Sequence, residues 1–300
     1  MKRTAPRITA PWLKPGYFFL APAMVVLGLF FFAPILAAML LSWTDFDIYA
    51  LADSDNARWV GWGNYRRLLS EPLFWQALGN TLYFVGIGGP LTVAVSLSAA
   101  LLVSSTLTRL RGMWRVVFFA PVVTTMVAVA VVWRYLYHTR YGMFNYALDW
   151  FGIGPVDWLG NPRTAMLAIV LLAVWKNFGY NMVIFVAGLQ SIPEDVYDAA
   201  RIDGAGAWHT FWKIKLPLLT PTFFFVGVTT MIGYFQLFAE PYVMTQGGPM
   251  HSTYSVVMYM YEEGFRWWNV GFASAIAFVL FLIVLAATLV QIRLQRNAQA

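Results

Sequence analysis

Long apolar runs dominate the chain. Six stretches, at about 17–42, 76–103, 114–137, 165–189, 217–239 and 267–292, stay largely apolar for more than 20 residues. About 20 helical residues cross ~30 Å of hydrocarbon, so each run predicts one membrane-spanning helix and the chain an all-α fold of six transmembrane helices. The first run follows Lys2, Arg3, Arg7 and Lys14 and so begins like a signal peptide. Its length and the lack of a small-residue cleavage site predict an uncleaved signal-anchor helix instead. Small residues punctuate the spans. Gly86, Gly88, Gly89 and Pro90 interrupt the second, and Gly271, Ser274, Ala275 and Ala277 mark the sixth. Such residues let helix backbones approach closely in lipid. The expected organisation is a tail at 1–16, one transmembrane unit at 17–292 and a tail at 293–300.

Polar positions inside the runs are scarce. Lys176, Asn177 and Asn181 fall in the middle of span four, and the two asparagines share a face at i, i+4. Gln236 falls in span five, with Glu240 near its outer end and Arg134 near the outer end of span three. Polar groups in a membrane are costly and are functional candidates by default. Interhelical hydrogen bonding is the alternative role for each. Lys176 has two readings, a path-lining group or a partner of a carboxylate or of backbone carbonyls. Arg134 and Glu240 are placed to form an ion pair.

Between spans four and five, residues 190–216 break the apolar pattern in an organised way. Ser191 and Glu194 have capping-box spacing, and Pro193 falls in the first helical turn. Glu194, Asp195 and Asp198 suit the positive end of a helix dipole. Asp203-Gly204 signals a turn. A second short helix from Trp208 to Lys215 is expected to stop before Pro217. The stretch therefore reads as a helix-turn-helix at the membrane surface. Its small residues Ala199, Ala200, Gly204, Ala205 and Gly206 would let it seat in a groove of another protein.

Composition supports the membrane reading. Hydrophobic residues make up 60% of the 300 and charged residues only 11%, against about 25% charged in a soluble domain. The 20 basic residues sort unevenly. Lys2, Arg3, Arg7, Lys14, Arg109, Arg111, Arg115, Arg201, Lys213, Lys215, Arg293 and Arg296 fall on one side. Arg58, Arg66, Arg67, Arg140, Arg163 and Arg266 fall on the other, with Arg134 and Lys176 inside spans. The heavier side is cytoplasmic by the positive-inside rule and holds both termini. The net charge of +6 thus marks a membrane face and does not call for nucleic acid. The outer connections carry Trp59, Trp62, Tyr65, Trp150, Trp158, Trp267 and Trp268, an interfacial belt or a docking surface. The acidic group Asp45, Asp47, Asp53 and Asp55 reads as a solvated loop.

Several chemistries lack their residues. There is no cysteine, and the three histidines, His138, His209 and His251, are far apart, so neither a thiol nucleophile nor a zinc centre is expected and no metal site is assigned. No Gly-Lys pair exists for a P-loop, and no G-x-S-x-G elbow. If ATP drives this protein, another chain hydrolyses it. A secondary transporter would need carboxylates at mid-depth, and a membrane enzyme clustered His, Asp or Glu at an interface; neither is evident.

The run from Ile192 to Pro217 resembles the signature loop of ABC-importer permeases, E-A-A-x3-D-G-A followed by a distant proline. Asp198, Ala199 and Ala200 fill the first triplet, with Asp in place of the usual Glu. Asp203, Gly204 and Ala205 fill the second, and Phe211, Ile214, Leu216 and Pro217 the tail. Thr245-Gln246-Gly247-Gly248-Pro249 resembles the T-x-G-G-P segment of the carbohydrate-importer branch, in particular the first permease of the pair in maltose, lactose and glycerol-3-phosphate importers. Trp175 to Met182 and Ala187 to Gln190 are similar to those sugar permeases as well. The resemblance covers about residues 17–292. It implies a type I ABC-importer permease fold in the bacterial inner membrane. It also implies a second permease, two ATP-binding subunits that hold the ATP and magnesium, and a periplasmic sugar-binding protein as partners, with no cofactor in this chain. The loop carrying Glu194, Tyr197, Asp198, Ala199, Ala200, Asp203, Gly204, Ala205, Phe211 and Pro217 is implied to couple to the ATPase. Sugars need amide or hydroxyl partners and aromatic faces. Trp175, Lys176, Asn177, Tyr180, Asn181, Tyr234, Phe235 and Gln236 offer these as a candidate path. Thr245, Gly247, Gly248 and Pro249 are expected to make a tight outer turn before the sixth span.

Overall fold

The computed structural model describes residues 13–53, 57–105 and 108–299. These residues are almost wholly helical, with one antiparallel bridge between Thr44 and Trp59. In chain order the helices that matter are α1 (Phe19–Leu41), α2 (Gly63–Ser70), α3 (Pro72–Ser104), α4 (Arg111–Val123), α5 (Met126–Leu136), α6 (Met143–Asp149) and α7 (Pro162–Gln190). They continue with α8 (Glu194–Ile202), α9 (Ala207–Leu218), α10 (Thr220–Phe235), α11 (Ala239–Met244), α12 (Val256–Tyr261) and α13 (Val270–Gln299). Helices α1, α3, α7 and α13 are each long and apolar enough to cross a bilayer. The bent pairs α4–α5 and α9–α10 make two further crossings if each pair is one span. Lys2, Arg3, Arg7, Asp55 and most of the expected tail at 1–16 lie outside the described residues.

Helix α7 is the spine. Some 56% of its apolar window is buried, against 28% for α3 and α13. Its N-terminal half carries Met166, Ile169, Val170 and Ala173 into a core shared with Val129 and Trp133 of α5, Tyr137 just beyond it and Phe84 of α3. Its C-terminal half carries Met182, Phe185 and Leu189 into a second core with Leu97, Val103, Leu219 and Val226. A third core joins Leu68 and Phe74 to Tyr259, Phe272 and Ile276. By contrast, none of α1's apolar window is buried in this chain, and its 33–41 end packs against α13.

The structure departs from the sequence reading at four places. The run 114–137 is not one straight helix: α4 and α5 meet at 98°. Thr124 and Thr125 between them are extended, and Thr124 Oγ1 donates to the Pro121 carbonyl at 2.6 Å. Threonine competes with helical bonding in this way. Second, α9 does not stop before Pro217 but runs on to Leu218 and meets α10 at 64°. A wide turn absorbs the proline's missing donor. The Leu216 N–H reaches back five residues to the Phe211 carbonyl. Third, the run 217–239 is not one helix: Leu219 separates the end of α9 from α10 (Thr220–Phe235), and Gln236–Phe238 break it again before α11 begins. Finally, α13 runs on past the end of the sixth apolar run, through residues 293–299.

The acidic loop after α1 is a built connection. Asp47 caps a short helix through the backbone N–H groups of Tyr49 and Ala50, and Asp45 accepts from Arg58 N at 2.6 Å. Asn64 Nδ2 donates to the carbonyls of Ser42 and Thr44, and the rings of Trp62 and Tyr65 lie 5.1 Å apart.

Candidate functional site

The loop at 190–216 folds as two helices, α8 and α9, around a closed turn. Asp203 ends α8, and Gly204 follows at φ +71°, a left-handed position that favours glycine. The Gly204 N–H donates to the Arg201 carbonyl at 3.1 Å and the Ala205 N–H to the Ala200 carbonyl at 2.9 Å. That bond pair is a Schellman closure, so the Asp-Gly-Ala triplet has a mechanical purpose. The capping box does not form. Pro193 stands at the cap of α8, and Ser191 Oγ instead donates to the Gly188 carbonyl at the end of α7. Glu194, Asp198, Ala199 and Asp203 are exposed, while Ala200 is buried. Asp198 pairs with Arg201 at 2.7 Å, an exposed pair worth about 0–1 kcal/mol. Tyr197 sits under Lys215 Nζ, 5.6 Å from its ring centroid, and burial pushes its phenol pKa up. The loop's surface is conspicuously apolar: Ile202 is 86% and Trp208 76% exposed. Phe211 is half-buried and stacks edge-on with Trp212, which also meets Trp208.

At mid-chain the polar candidates divide. Lys176, only 8% exposed, donates from Nζ to the carbonyls of Pro121 at 2.7 Å and Val122 at 3.0 Å. These are carbonyls of the last turn of α4, next to the 98° break, and Pro121 O also accepts from the Thr124 N–H and Oγ1, so the second reading of Lys176, as a partner of backbone carbonyls, is the observed one. Asn181 is 4% exposed and donates to Thr230 Oγ1 at 2.9 Å, tying α7 to α10. The Tyr234 hydroxyl meets Thr92 Oγ1 at 2.6 Å, tying α10 to α3, and Phe235 is buried below it in the chain's packing. Asn177 is half-buried and donates to its own helix at Ala173 O. Trp175, Tyr180 and Gln236 are exposed at the chain's surface, with the Trp175 ring 5.4 Å from that of Trp133. Arg134 and Glu240 make no ion pair; Arg134 Nη1 reaches the Val243 carbonyl at 3.3 Å. Threonines 92 and 230 were not singled out from the sequence, because threonine inside an apolar run usually bonds its own helix.

The turn at Thr245–Pro249 is built as a clasp. Gly247 takes φ +80°, and the Gly248 N–H closes onto the Thr245 carbonyl. The hydroxyls of Thr245 and Thr253 meet at 2.7 Å, and Thr253 Oγ1 donates to the carbonyl before Pro249. Asn80 of α3 then donates to the carbonyls of His251 and Tyr254, and Gln76 to that of Met250. An asparagine within an apolar run was the available signal for this clamp. The turn precedes α12 rather than leading straight into the last span. Burial and the 2.6 Å bond to Glu262 hold the Tyr254 phenol protonated far above its ordinary range. Asn80→Leu is expected to free the turn and cost about 2 kcal/mol through the two lost bonds to the His251 and Tyr254 carbonyls. Faster proteolysis between 245 and 255 with unchanged cleavage of the 190–216 loop is the check.

Known proteins match this arrangement over most of its length. Residues 92–299 match the family described as the binding-protein-dependent transport system inner membrane component. The lactose transport system permease protein LacF of Rhizobium radiobacter is 33% identical over 281 residues, 92% of each chain. The trehalose/maltose transport system permease protein MalF of Thermococcus litoralis is 33% identical over 286 residues, 94% of each chain. In solved structures, a chain of a bacterial alginate ABC transporter, in complex with an alginate pentasaccharide-bound periplasmic protein, shares the fold. It matches at a TM-score of 0.79 with 20% identity, over 97% of this chain and 96% of that one. With the family's description matched over more than half its length and two relatives above 30% identity, this chain belongs to the inner-membrane components of binding-protein-dependent transport systems.

Proposed function

We propose that this chain is a permease subunit of a bacterial ABC importer for a sugar or oligosaccharide. It crosses the membrane six times with both termini in the cytoplasm, pairs with a second permease, and receives its cargo from a periplasmic sugar-binding protein. It has no ATPase site of its own. Two ATP-binding subunits supply ATP, magnesium and hydrolysis, and one of them docks on the 190–216 loop. The observation that carries this reading is that loop. A turn closed by two backbone bonds fixes α8, while Ile202 and Trp208 stand largely exposed beside it. A rigid, exposed apolar element at a membrane surface suits transmission of force from a moving partner. The named substrates of the relatives support the sugar assignment. The exposed or half-buried Trp175, Asn177, Tyr180 and Gln236 are the path candidates that still face outward from this chain, while Lys176, Asn181, Tyr234 and Phe235 act behind them.

Co-purification tests the docking role. In Gly204→Trp a bulky side chain must occupy a left-handed position, costing about 1–2 kcal/mol in the turn alone. Such a chain should insert normally yet lose its ATP-binding subunits and its uptake, and intact assembly and uptake would show the coupling assignment to be wrong.

A further inference from the structure

At the end of α7 opposite the 190–216 loop lies a cavity of about 620 Å³ to which no role has been given. Volumes of 300–1,000 Å³ are typical of small-molecule sites. One helical face builds its wall: Val131, Arg134, Tyr135 and His138 recur at i, i+3, i+4 and i+7 along α5 and just beyond it. Tyr141 and Asp157 complete the opposite side, and Thr245 of the clasp closes one end.

The walls are fixed. The Tyr137 hydroxyl pins the end of α5 to the Ala168 carbonyl at 2.9 Å. Asn145 ties the 139–158 segment together through Thr139 O, Val156 O and Trp158 Nε1. Asp157 Oδ1 accepts from the Gly160 N–H at 2.9 Å, which turns the carboxylate's loop and leaves Oδ2 unused by any hydrogen bond among the described residues. The Arg134 guanidinium spends one N–H on Val243 O and holds the rest of its fork free. His138 Nδ1 accepts from the Arg140 N–H, so a neutral ring presents Nε2–H as a donor. Its ring lies flat on that of Tyr141, centroids 3.4 Å apart and 11° from parallel. Tyr141 is 67% and Tyr135 63% exposed.

This chemistry selects its ligand class. Two tyrosine faces suit the apolar face of a pyranose ring, and a free guanidinium, an imidazole N–H and a free carboxylate oxygen suit its hydroxyls. One positive and one negative side chain balance, which favours an uncharged ligand over an anion. We propose that this cavity is a binding site for a neutral oligosaccharide of two or three units, separate from the mid-chain path and reached from the outer side before it. The proposal rests on the sugar-importer reading above.

The test uses the full chain in lipid nanodiscs with maltotriose as the probe, read by saturation-transfer difference NMR. Wild type should give saturable signals in the millimolar range. Tyr141→Ala and Tyr135→Ala, both at exposed positions, should each weaken binding about fivefold to tenfold, and Arg134→Gln should do the same. Leu285→Ala on α13, an exposed position outside the cavity lining, should leave the signals unchanged. Retained signals in both tyrosine variants, or signals lost only in Leu285→Ala, would overturn the cavity assignment and leave the transport reading standing. Preference for trigalacturonate over maltotriose would overturn the neutral class. Failure of the assembled transporter to take up any sugar would sink the importer reading independently of the nanodisc result.

Discussion

Lys176→Met should disorder the break in the third span while leaving the spine folded. The substitution keeps most of the side chain's apolar stem and removes an ammonium that donates to Pro121 O and Val122 O. Hydrogen bonds from charged donors are worth about 1.5–3 kcal/mol each; Pro121 O keeps its bonds from Thr124, so the loss falls most heavily on Val122 O. Removing the charge also relieves its own desolvation, which works the other way. The net cost should be about 3 kcal/mol, roughly a hundredfold in the population of the capped break. Spin labels at the exposed Val117 and Val132, one on each side of Thr124–Thr125, report the angle directly. Their distance distribution should broaden in Lys176→Met and narrow again in Lys176→Arg, which keeps donors at that site. An unchanged distribution in Lys176→Met would show that the threonine turn holds the angle alone.

The span positions were legible because membrane helices must satisfy their own backbone and bury apolar faces in lipid, and both demands are written in run length. The Asp-Gly-Ala turn was legible for a related reason: a left-handed residue after a helix favours glycine, and Gly204 has that conformation. The 98° break was not. Pro121 and the Thr124-Thr125 pair are tolerated in many straight membrane helices, since neighbouring groups re-satisfy the freed carbonyls. Here the decisive neighbour, Lys176, is more than 50 residues away in sequence, and no local pattern contains it. The same holds for Asn181. Its amide looked free for a sugar, but Thr230 on another helix takes it. Ser191 shows the opposite failure. Its spacing to Glu194 fitted a cap for the following helix, but the preceding helix ends one residue earlier, and its orphan carbonyls are nearer. Residues whose role depends on which helix lies across from them stayed open, whereas the turn at Gly204, set by its own backbone, was read correctly.

Gly179→Ala tests whether the spine and the broken span work as one unit. A Cβ at Gly179 would overlap the Phe118 carbonyl group and crowd the Phe119 Cα. These are backbone atoms, which cannot rotate away as a side chain would, so α4 must retreat from α7. Overpacking of this kind costs about 1–3 kcal/mol. Lys176 lies three residues earlier on the same face of α7, and its acceptors lie one turn along α4 from Phe118. The retreat therefore stretches the Lys176 bonds as well. Gly179→Ala should cost at least as much as Lys176→Met, about 3 kcal/mol, although it adds a single methyl group. Gly233→Ala supplies the contrast, since nothing lies within 4 Å of a Cβ there. In the helix α10 it should be neutral or stabilise by about 0.5–1 kcal/mol. Unfolding of the three variants in mixed detergent micelles gives the order. The double variant Gly179→Ala with Lys176→Met should cost well below the sum of the two, because the first change already spoils the bonds that the second removes. Additive costs would mean that close packing and charged cap act separately, with the break held by Lys176 regardless of how near α4 lies to the spine.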